Sequence, residues 1–572
     1  MITRLVSSRL PVLAYHPPKV CDTAYMQALD RAGALPVLDS EFSTNTEIIQ
    51  TLDRLSGMPL LFGLRLSVAN RALVDYLDRN PVNNLELIVF TYRTKDELER
   101  FQFDNRDYKF VLEIVDIKLD RAIERIAPHG LIVKGMEAPG RVSRNSAFII
   151  LQWYLENLDL PVFVHGGVGR HTAAGLFAMG AHGVVLDNQL YLAEEAPLDA
   201  SYKDLLRGLE EKDSTIVGHS LNAGYRFFAK LGTRVVKTLR DQEIQLAEVD
   251  DADEMLYREI EKGFTRLDES SEAPVQSLFY LGQDAVFARH FAAMGSDVAT
   301  MIRELFRHIG RQLAAVDEHD PLQADAALAR EHGTRYPIMQ GPMANVSDNA
   351  DFGAAVFANG GLPFFALGNL PADLADNILK NGKDKVARFG AGMIGIEAFN
   401  QTIAHHLASV KKYEVPFALF AGGIPSQVKE LEASGTKSYL HTPSLSMLEN
   451  AIDKGCTRFI FEGSEAGGHV GELSSLVLWE QAMEKVSRLP EDQRRDKTLI
   501  FAGGIGTRRA SQFVSGMTAR LASKGVKVGI QVGTSYLFSQ EIVDTGAIKK
   551  LYQDVVCERD ETILMGQTVG LA

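Results

Sequence analysis

GLIVKGMEAPGRVS, running from Gly130 to Ser143, and RFIFEGSEAGGHVG, running from Arg458 to Gly471, are one phrase written twice. Each is an apolar run, then a glycine, then a glutamate and a second glycine-bearing turn. The segments downstream of the two copies also correspond. PVFVHGG and GVVLDNQLYL come after the first copy, TLIFAGG and GIQVGTSYLF after the second, in the same order. Three matching pieces in one order make the two halves copies of a single fold.

Counting outward from these pieces gives the architecture. The first half holds PVLAY, LPVLD, LLFGLRL, LELIVF, KFVLEIV, GLIVKG, PVFVHGG and GVVLDN. The second holds YPIMQG, GLPFFAL, ARFGAGMIG, FALFAGG, KSYLHTP, RFIFEG, TLIFAGG and GIQVGTSYL. Each run is continuous in apolar character, as parallel strands buried on both faces must be. Helix-compatible stretches such as TAYMQALDRAG and SQVKELEASG separate most of them. Eight strand–helix units in roughly 250 residues specify a TIM barrel; an open doubly wound sheet is the competing arrangement. The expected fold is α/β, with two tandem (β/α)8 barrels, the first a degenerate copy. They span 1–209 and 334–572, with a mainly helical connector at 210–333. That connector carries an acidic helical stretch, Lys237 to Lys262, a loop-like LDESSEAP at 267–274, and a helical run from Asp297 to Val316.

Composition narrows the function classes. The chain has 572 residues, with 60 Lys+Arg against 74 Asp+Glu and a net charge of −14, which argues against a nucleic-acid binder. Cys21, Cys456 and Cys557 are too few and too scattered for a disulfide framework or a CxxC metal site, so no metal is expected and a reducing cytoplasm is the expected compartment. The start, MITRLVSSRLPVLAY, lacks a continuous apolar core and makes a poor signal peptide. The uncharged stretch from Phe352 to Ala372 is long enough to resemble a membrane span, but its Gly-Gly, Asn residues and Pro363 favour a strand with flanking turns.

In a TIM barrel the site lies at the C-terminal ends of the strands, with phosphates often held after strands 7 and 8. There the second half places Gly503-Gly504, within AGGIG, and Gly533-Thr534. Glycines let backbone N–H groups approach a phosphate, and a threonine hydroxyl can add a donor. The sixth strand ends at Glu462 and runs into Gly467, Gly468 and His469. Such glycine density suits a backbone wrapped around a ligand, and His469 at the mouth can act as acid or base. The first strand ends in Gly341-Pro342-Met343, a sharp turn with a soft thioether for a flat ring system. His332, His405, His406 and His441 lack this glycine context and are expected to be structural.

YPIMQGPM, AAVFANGGLPFFAL, FEGSEAGGHVG, AGGIG and QVGTSYLF, in that order, resemble the nitronate monooxygenase family, formerly the 2-nitropropane dioxygenases. The FMN-dependent enoyl-acyl-carrier-protein reductases belong to the same superfamily. The duplicated arrangement, with LGQDAVFA in the linker, resembles the front of large polyketide or polyunsaturated-fatty-acid-type synthases, of which this chain would be a piece. The resemblance implies FMN in the second barrel. Its phosphate would lie on Gly503, Gly504, Gly533 and Thr534, with Gly341, Pro342 and Met343 along the ring. The Glu465–His469 loop would lie beside the ring, with Glu462, Gly467 and Gly468 among the cofactor-binding residues and His469 as catalytic base or proton donor. It further implies an oxidoreductase. The leading expectation is an enoyl reductase with NAD(P)H as reductant and an acyl thioester as substrate. The alternatives are a nitronate monooxygenase using oxygen, or a non-catalytic scaffold. An acyl carrier protein, further synthase domains or a second copy of the chain are the expected partners, without nucleic acid or membrane. A carrier docking on the acidic connector is disfavoured by like charge.

The first copy departs from this pattern. Pro139 stands opposite Gly467, Arg141 opposite His469, and Asp187-Asn188 opposite Gly533-Thr534, while His165-Gly166-Gly167 persists. A carboxylate repels phosphate at close range. The first barrel is therefore expected to bind no FMN, and to serve as a scaffold or hold another ligand through Arg141.

Overall fold

The computed structural model describes residues 5–103, 108–368, 370–559 and 570–571. Two compact units result, Met1–Gly310 and Arg311–Ala572. In the first, eight parallel strands close into a barrel in sequence order. They are β1 (Val12–Tyr15), β2 (Leu35–Asp39), β3 (Phe62–Ser67), β4 (Leu85–Thr91), β5 (Lys109–Ile114), β6 (Leu131–Lys134), β7 (Val162–His165) and β8 (Gly183–Leu186). Each expected strand of this half is present. Side chains alternate across a strand, and Leu13, Leu35, Val37, Leu87, Val89, Val111, Ile132, Phe163 and Val185 fill the interior. β7 and β8 approach closely because Gly183 has no side chain: a Cβ there would lie 2.2 Å from the Phe163 ring. Several of the helices outside are started by side-chain caps, from Asp22, Thr44, Asn70 and Thr94. Thr44 and Glu47 form a capping box at Asn45–Ser56, which buries Ile48, Leu52 and Leu55 on one face.

The stretch expected as a mainly helical connector begins differently. Ser214–Val217 and Tyr225–Phe228 form an antiparallel ribbon, and the second strand pairs with Gly140–Arg141. The β-branched residues of Ser214–Val217 and the aromatics of Tyr225–Phe228 suit strands. Helices Arg234–Leu246, Ala252–Gly263 and Val298–His319 come after it.

In the second unit the strands are β9 (Ile338–Gln340), β10 (Phe364–Gly368), β11 (Gly390–Ile394), β12 (Phe417–Ala421), β13 (Lys437–His441), β14 (Arg458–Glu462), β15 (Thr498–Ala502) and β16 (Lys527–Val532). They are parallel, and β9 pairs with β16, so the sheet curls nearly shut. Hydrogen bonds from Leu362 N to Ile338 O and from Gln340 N to Leu362 O bring β9 and β10 together. Met339, Phe364, Phe417, Leu419, Tyr439, Ile460, Ile500 and Ala502 form the core. His332 Nε2 lies 2.7 Å from the Tyr439 hydroxyl, and burial pulls the imidazole down to about 3. It is thus a neutral core group. His406 is likewise buried and bonded, to the Leu370 carbonyl. The uncharged stretch from Phe352 divides into the helix Ala350–Ala358 and strand β10. Among the described residues no helix is long and apolar enough to cross a membrane.

Candidate active site

The two-residue period of a strand fixes which residues form the uppermost in-facing layer of each barrel. In the first unit this layer reads Tyr15, Asp39, Arg65, Thr91, Glu113, Lys134, His165 and Asp187. In the second, the matching positions are Gly341, Ala366, Gly392, Ala421, His441, Glu462, Ala502 and Gly533. Strand register supports the match: Lys134 pairs with His165 as Glu462 pairs with Ala502, and Leu112 with Leu131 as Leu440 with Phe459. One mouth is filled with polar side chains; the other is mostly glycine and alanine, with His441 and Glu462 as the exceptions.

The filled mouth is a buried charge network. Arg65 holds Asp39 at 3.1 Å, Glu41 at 2.8 Å and Glu113 at 2.8 Å. Lys134 reaches Glu113 at 3.4 Å, His165 reaches Asp187 at 2.7 Å, and the Tyr15 hydroxyl donates to Glu113 at 3.0 Å. Burial opposes ionisation of Glu113, but Arg65 and Lys134 outweigh it and hold the carboxyl well below its ordinary value. Burial also works against a charge on His165, and there Asp187 outweighs it, so the imidazole is raised. Lys134 is lowered by burial. Tyr15 and His165 meet edge to face at 5.1 Å. These side chains occupy the places that Gly341, Ala502 and Gly533 leave free in the second unit.

The open mouth is built by close backbone approach. The residues expected at the site converge there from four strand ends. Gly341 N donates to Val532 O at 2.8 Å, tying the ends of β9 and β16. A Cβ on Gly463 would lie 2.2 Å from Ser475 Oγ, and one on Gly503 would lie 2.8 Å from it. Gly503, at φ +112°, and Gly504, at φ +67°, take backbone conformations that favour glycine. A Cβ on Gly467 would come within 3.6 Å of Thr534 Oγ1, so the loop after β14 meets the end of β16. At Gly368 and Gly468 it would meet nothing within 4 Å. Pro342 packs where a Gly392 side chain would otherwise stand, 2.4 Å away. Met343 packs against the cluster of Val346, Phe352, Val356, Ile542 and Ile548, with Sδ 3.8 Å from a Cβ on Gly533. Glu465 accepts hydrogen bonds from Ser475 N at 2.8 Å and Ser475 Oγ at 2.7 Å. In the first unit Glu137 accepts from Ala147 N at 3.1 Å in the same way. This acid of the repeated phrase therefore anchors the next helix in both copies.

The backbone of His469 lies in a two-residue strand with Val470, paired antiparallel with Gly570–Leu571. Its side chain lies outside the described part of the structure. Gly471 comes against Pro443, two residues beyond His441, where a Cβ would be 2.9 Å from the proline side chain. His441, expected to be structural, stands at the mouth. Its Nδ1 is 2.9 Å from Glu462 Oε2, and its Nε2 is buried without a partner among the described residues. Gln531 Oε1 is a second buried polar atom without a partner at the end of β16. An imidazole fixed by a carboxylate on one nitrogen keeps the other for an incoming group.

Residues 394–565 match the family model for nitronate monooxygenase. The second barrel thus carries a stretch that matches the nitronate monooxygenase family. Nitronate monooxygenases are oxidoreductases, and the matched stretch takes in β12–β16, His441, Glu462 and the glycine turns. No curated protein matches the chain. Among solved structures, FabK from Thermotoga maritima is 18% identical, with 55% of this chain and 97% of that one covered at a TM-score of 0.45. Nitroalkane oxidase from Streptomyces ansochromogenes is 17% identical, with 53% and 96% covered at 0.41. The enoyl reductase domain of MlnA, from the macrolactin biosynthesis cluster of Bacillus amyloliquefaciens, is 12% identical, with 54% and 97% covered at 0.44.

Proposed function

We propose that the second barrel binds FMN and is an enoyl reductase, taking electrons from NAD(P)H and passing them to an enoyl thioester. The observation that carries the flavin is the opened mouth, where Gly341, Ala366, Ala502 and Gly533 stand in place of Tyr15, Asp39, His165 and Asp187 of the sister barrel, beside His441 and Glu462. FMN fits this chemistry: backbone N–H groups at Gly503-Gly504 and the Thr534 hydroxyl can hold a phosphate, and Gln531 Oε1 is an acceptor in want of a donor. When bound, the flavin supplies hydride transfer between nicotinamide and carbon.

The chain supplies position and proton control. Gly341 and Pro342 set one wall, and the Gly467–Gly468 turn sets the other. Glu462 fixes the tautomer of His441 and leaves Nε2 to give or take a proton at the substrate carbon. His469, as the family resemblance implies, serves the same proton from the loop above. A cleft closed by these turns excludes water from the reacting atoms. The first barrel binds no flavin, because Tyr15, His165 and Asp187 fill the equivalent space.

The duplicated, synthase-like arrangement favours an acyl thioester, presented free or on a carrier protein, as substrate. Nitronate oxidation by oxygen is the second reading, favoured by the family match over residues 394–565. Anaerobic bleaching of the purified yellow protein separates them. Rapid bleaching by NADPH or NADH, with recolouring by crotonyl-CoA, is expected. Bleaching by an alkyl nitronate alone would replace the reductase with the monooxygenase, and a colourless chain that takes up no FMN would end both.

A further inference from the structure

The first unit has a cavity of its own. It measures about 290 Å³, close to the lower bound of small-molecule sites (roughly 300 Å³), and opens at the ends of β2–β5. Arg65, Arg93, Arg141, Tyr92, Tyr225 and Tyr257 are among its lining residues. The three arginines are not equivalent. Arg65 is saturated by Asp39, Glu41 and Glu113. Arg93 pairs with Glu97 at 3.1 Å and with Glu254. Among the described residues Arg141 has no carboxylate partner: one Nη donates to the Arg93 carbonyl, the guanidinium hydrogen-bonds the Tyr225 side chain and lies 5.4 Å from the Tyr92 ring centre, and Nε is buried without an acceptor. A half-buried guanidinium stays charged at any physiological pH and presents a planar fork matched to oxyanions.

We propose that this cavity is a binding site for a small hydroxylated oxyanion, a carboxylate or a phosphate ester, with Arg141 as its anchor. The place of Arg141 in the fold supports this. It lies in the two-residue strand after β6, as His469 lies in the one after β14, so the two copies put different chemistry at the same position of the mouth. A guanidinium neither gives nor takes a proton in this range, so the first copy binds where the second acts on a proton. Thr91 and Tyr225 add hydroxyls to the wall, which suits a hydroxylated ligand. The acids do not forbid an anion. Asp39, Glu41 and Glu113 turn their oxygens to Arg65, and Glu113 also to Lys134, while Glu261, the remaining lining carboxylate, is exposed on its helix where water and salt screen it.

Isothermal titration of the full chain with malate and, separately, with glycerol 3-phosphate tests the site. Saturable binding of either, at one per chain, is expected, and the probe that binds identifies the oxyanion. Arg141→Gln should weaken it by roughly tenfold or more. Arg141→Lys, which keeps the cation and loses the fork, should bind several-fold more weakly, and it serves if the glutamine variant does not fold. Neither probe binding saturably, or a folded Arg141 variant binding as tightly as the parent, would overturn the proposal.

Discussion

His441 and Glu113 lie at matching positions near the end of the fifth strand of their barrels, and each faces the residue that ends the sixth, Glu462 in one case and Lys134 in the other. Exchanging one imidazole–carboxylate pair for a carboxylate–ammonium pair changes what can be done with a proton. His441→Gln keeps a donor for Glu462 but removes the imidazole. It should retain flavin and lose roughly 10²–10⁴-fold in turnover, with a displaced pH–rate profile. Unchanged turnover and profile would remove the pair from the chemistry. His469→Ala should also keep flavin and lose turnover, which stopped-flow reduction by NADPH would read directly. His441 was hidden in the sequence for a physical reason: it ends an ordinary strand, YLH, and its partner lies 21 positions further along the chain (462 − 441). A usable signal was nonetheless present. In the first half, run after run of apolar residues ends in a polar in-facing group: Asp39, Glu113, Lys134, His165, Asp187. One such residue is unremarkable, but a ring of them marks a barrel mouth.

Elements were more legible than side-chain partners. All sixteen barrel strands stand out as continuous apolar runs, because burial on both faces leaves little room for polar residues. The ribbon Ser214–Val217 with Tyr225–Phe228 was not legible, since its pairing with Gly140–Arg141 is a long-range event no local pattern encodes. The glycine turns were legible as turns, and the structure separates them into two kinds. Gly463 sits against Ser475 at the start of a buried helix, so Gly463→Ala forces backbone apart. A loss of about 1–3 kcal/mol is expected, seen as a lowered melting temperature together with weakened flavin retention. Gly468 faces open space at φ +89°, so Gly468→Ala meets only backbone strain of about 1–2 kcal/mol. Equal effects from the two would contradict this division.

At the scale of the whole molecule, the two copies divide the work. One flavin per chain is the expected stoichiometry, measured by absorbance against protein concentration after FMN saturation; two per chain would contradict the filled first mouth. Acid sensitivity follows from His332. Its folded value, about 3, lies below the ordinary 6.5, so the unfolded chain binds the extra proton in between. The contribution is complete above pH 6.5 and fades toward pH 3, at about 1.4 kcal/mol per pH unit. Thermal melts at pH 7 and pH 5 should therefore fall less in His332→Gln than in the parent; an identical fall would assign the acid sensitivity elsewhere. The interlocked ions of the first mouth have a historical corollary. Removing Arg65 leaves Asp39 buried without a counter-charge, and removing His165 does the same to Asp187, at about 3–5 kcal/mol for a broken buried pair. A vacant cradle could be regained only by several simultaneous replacements, so divergence of the first copy works as a ratchet.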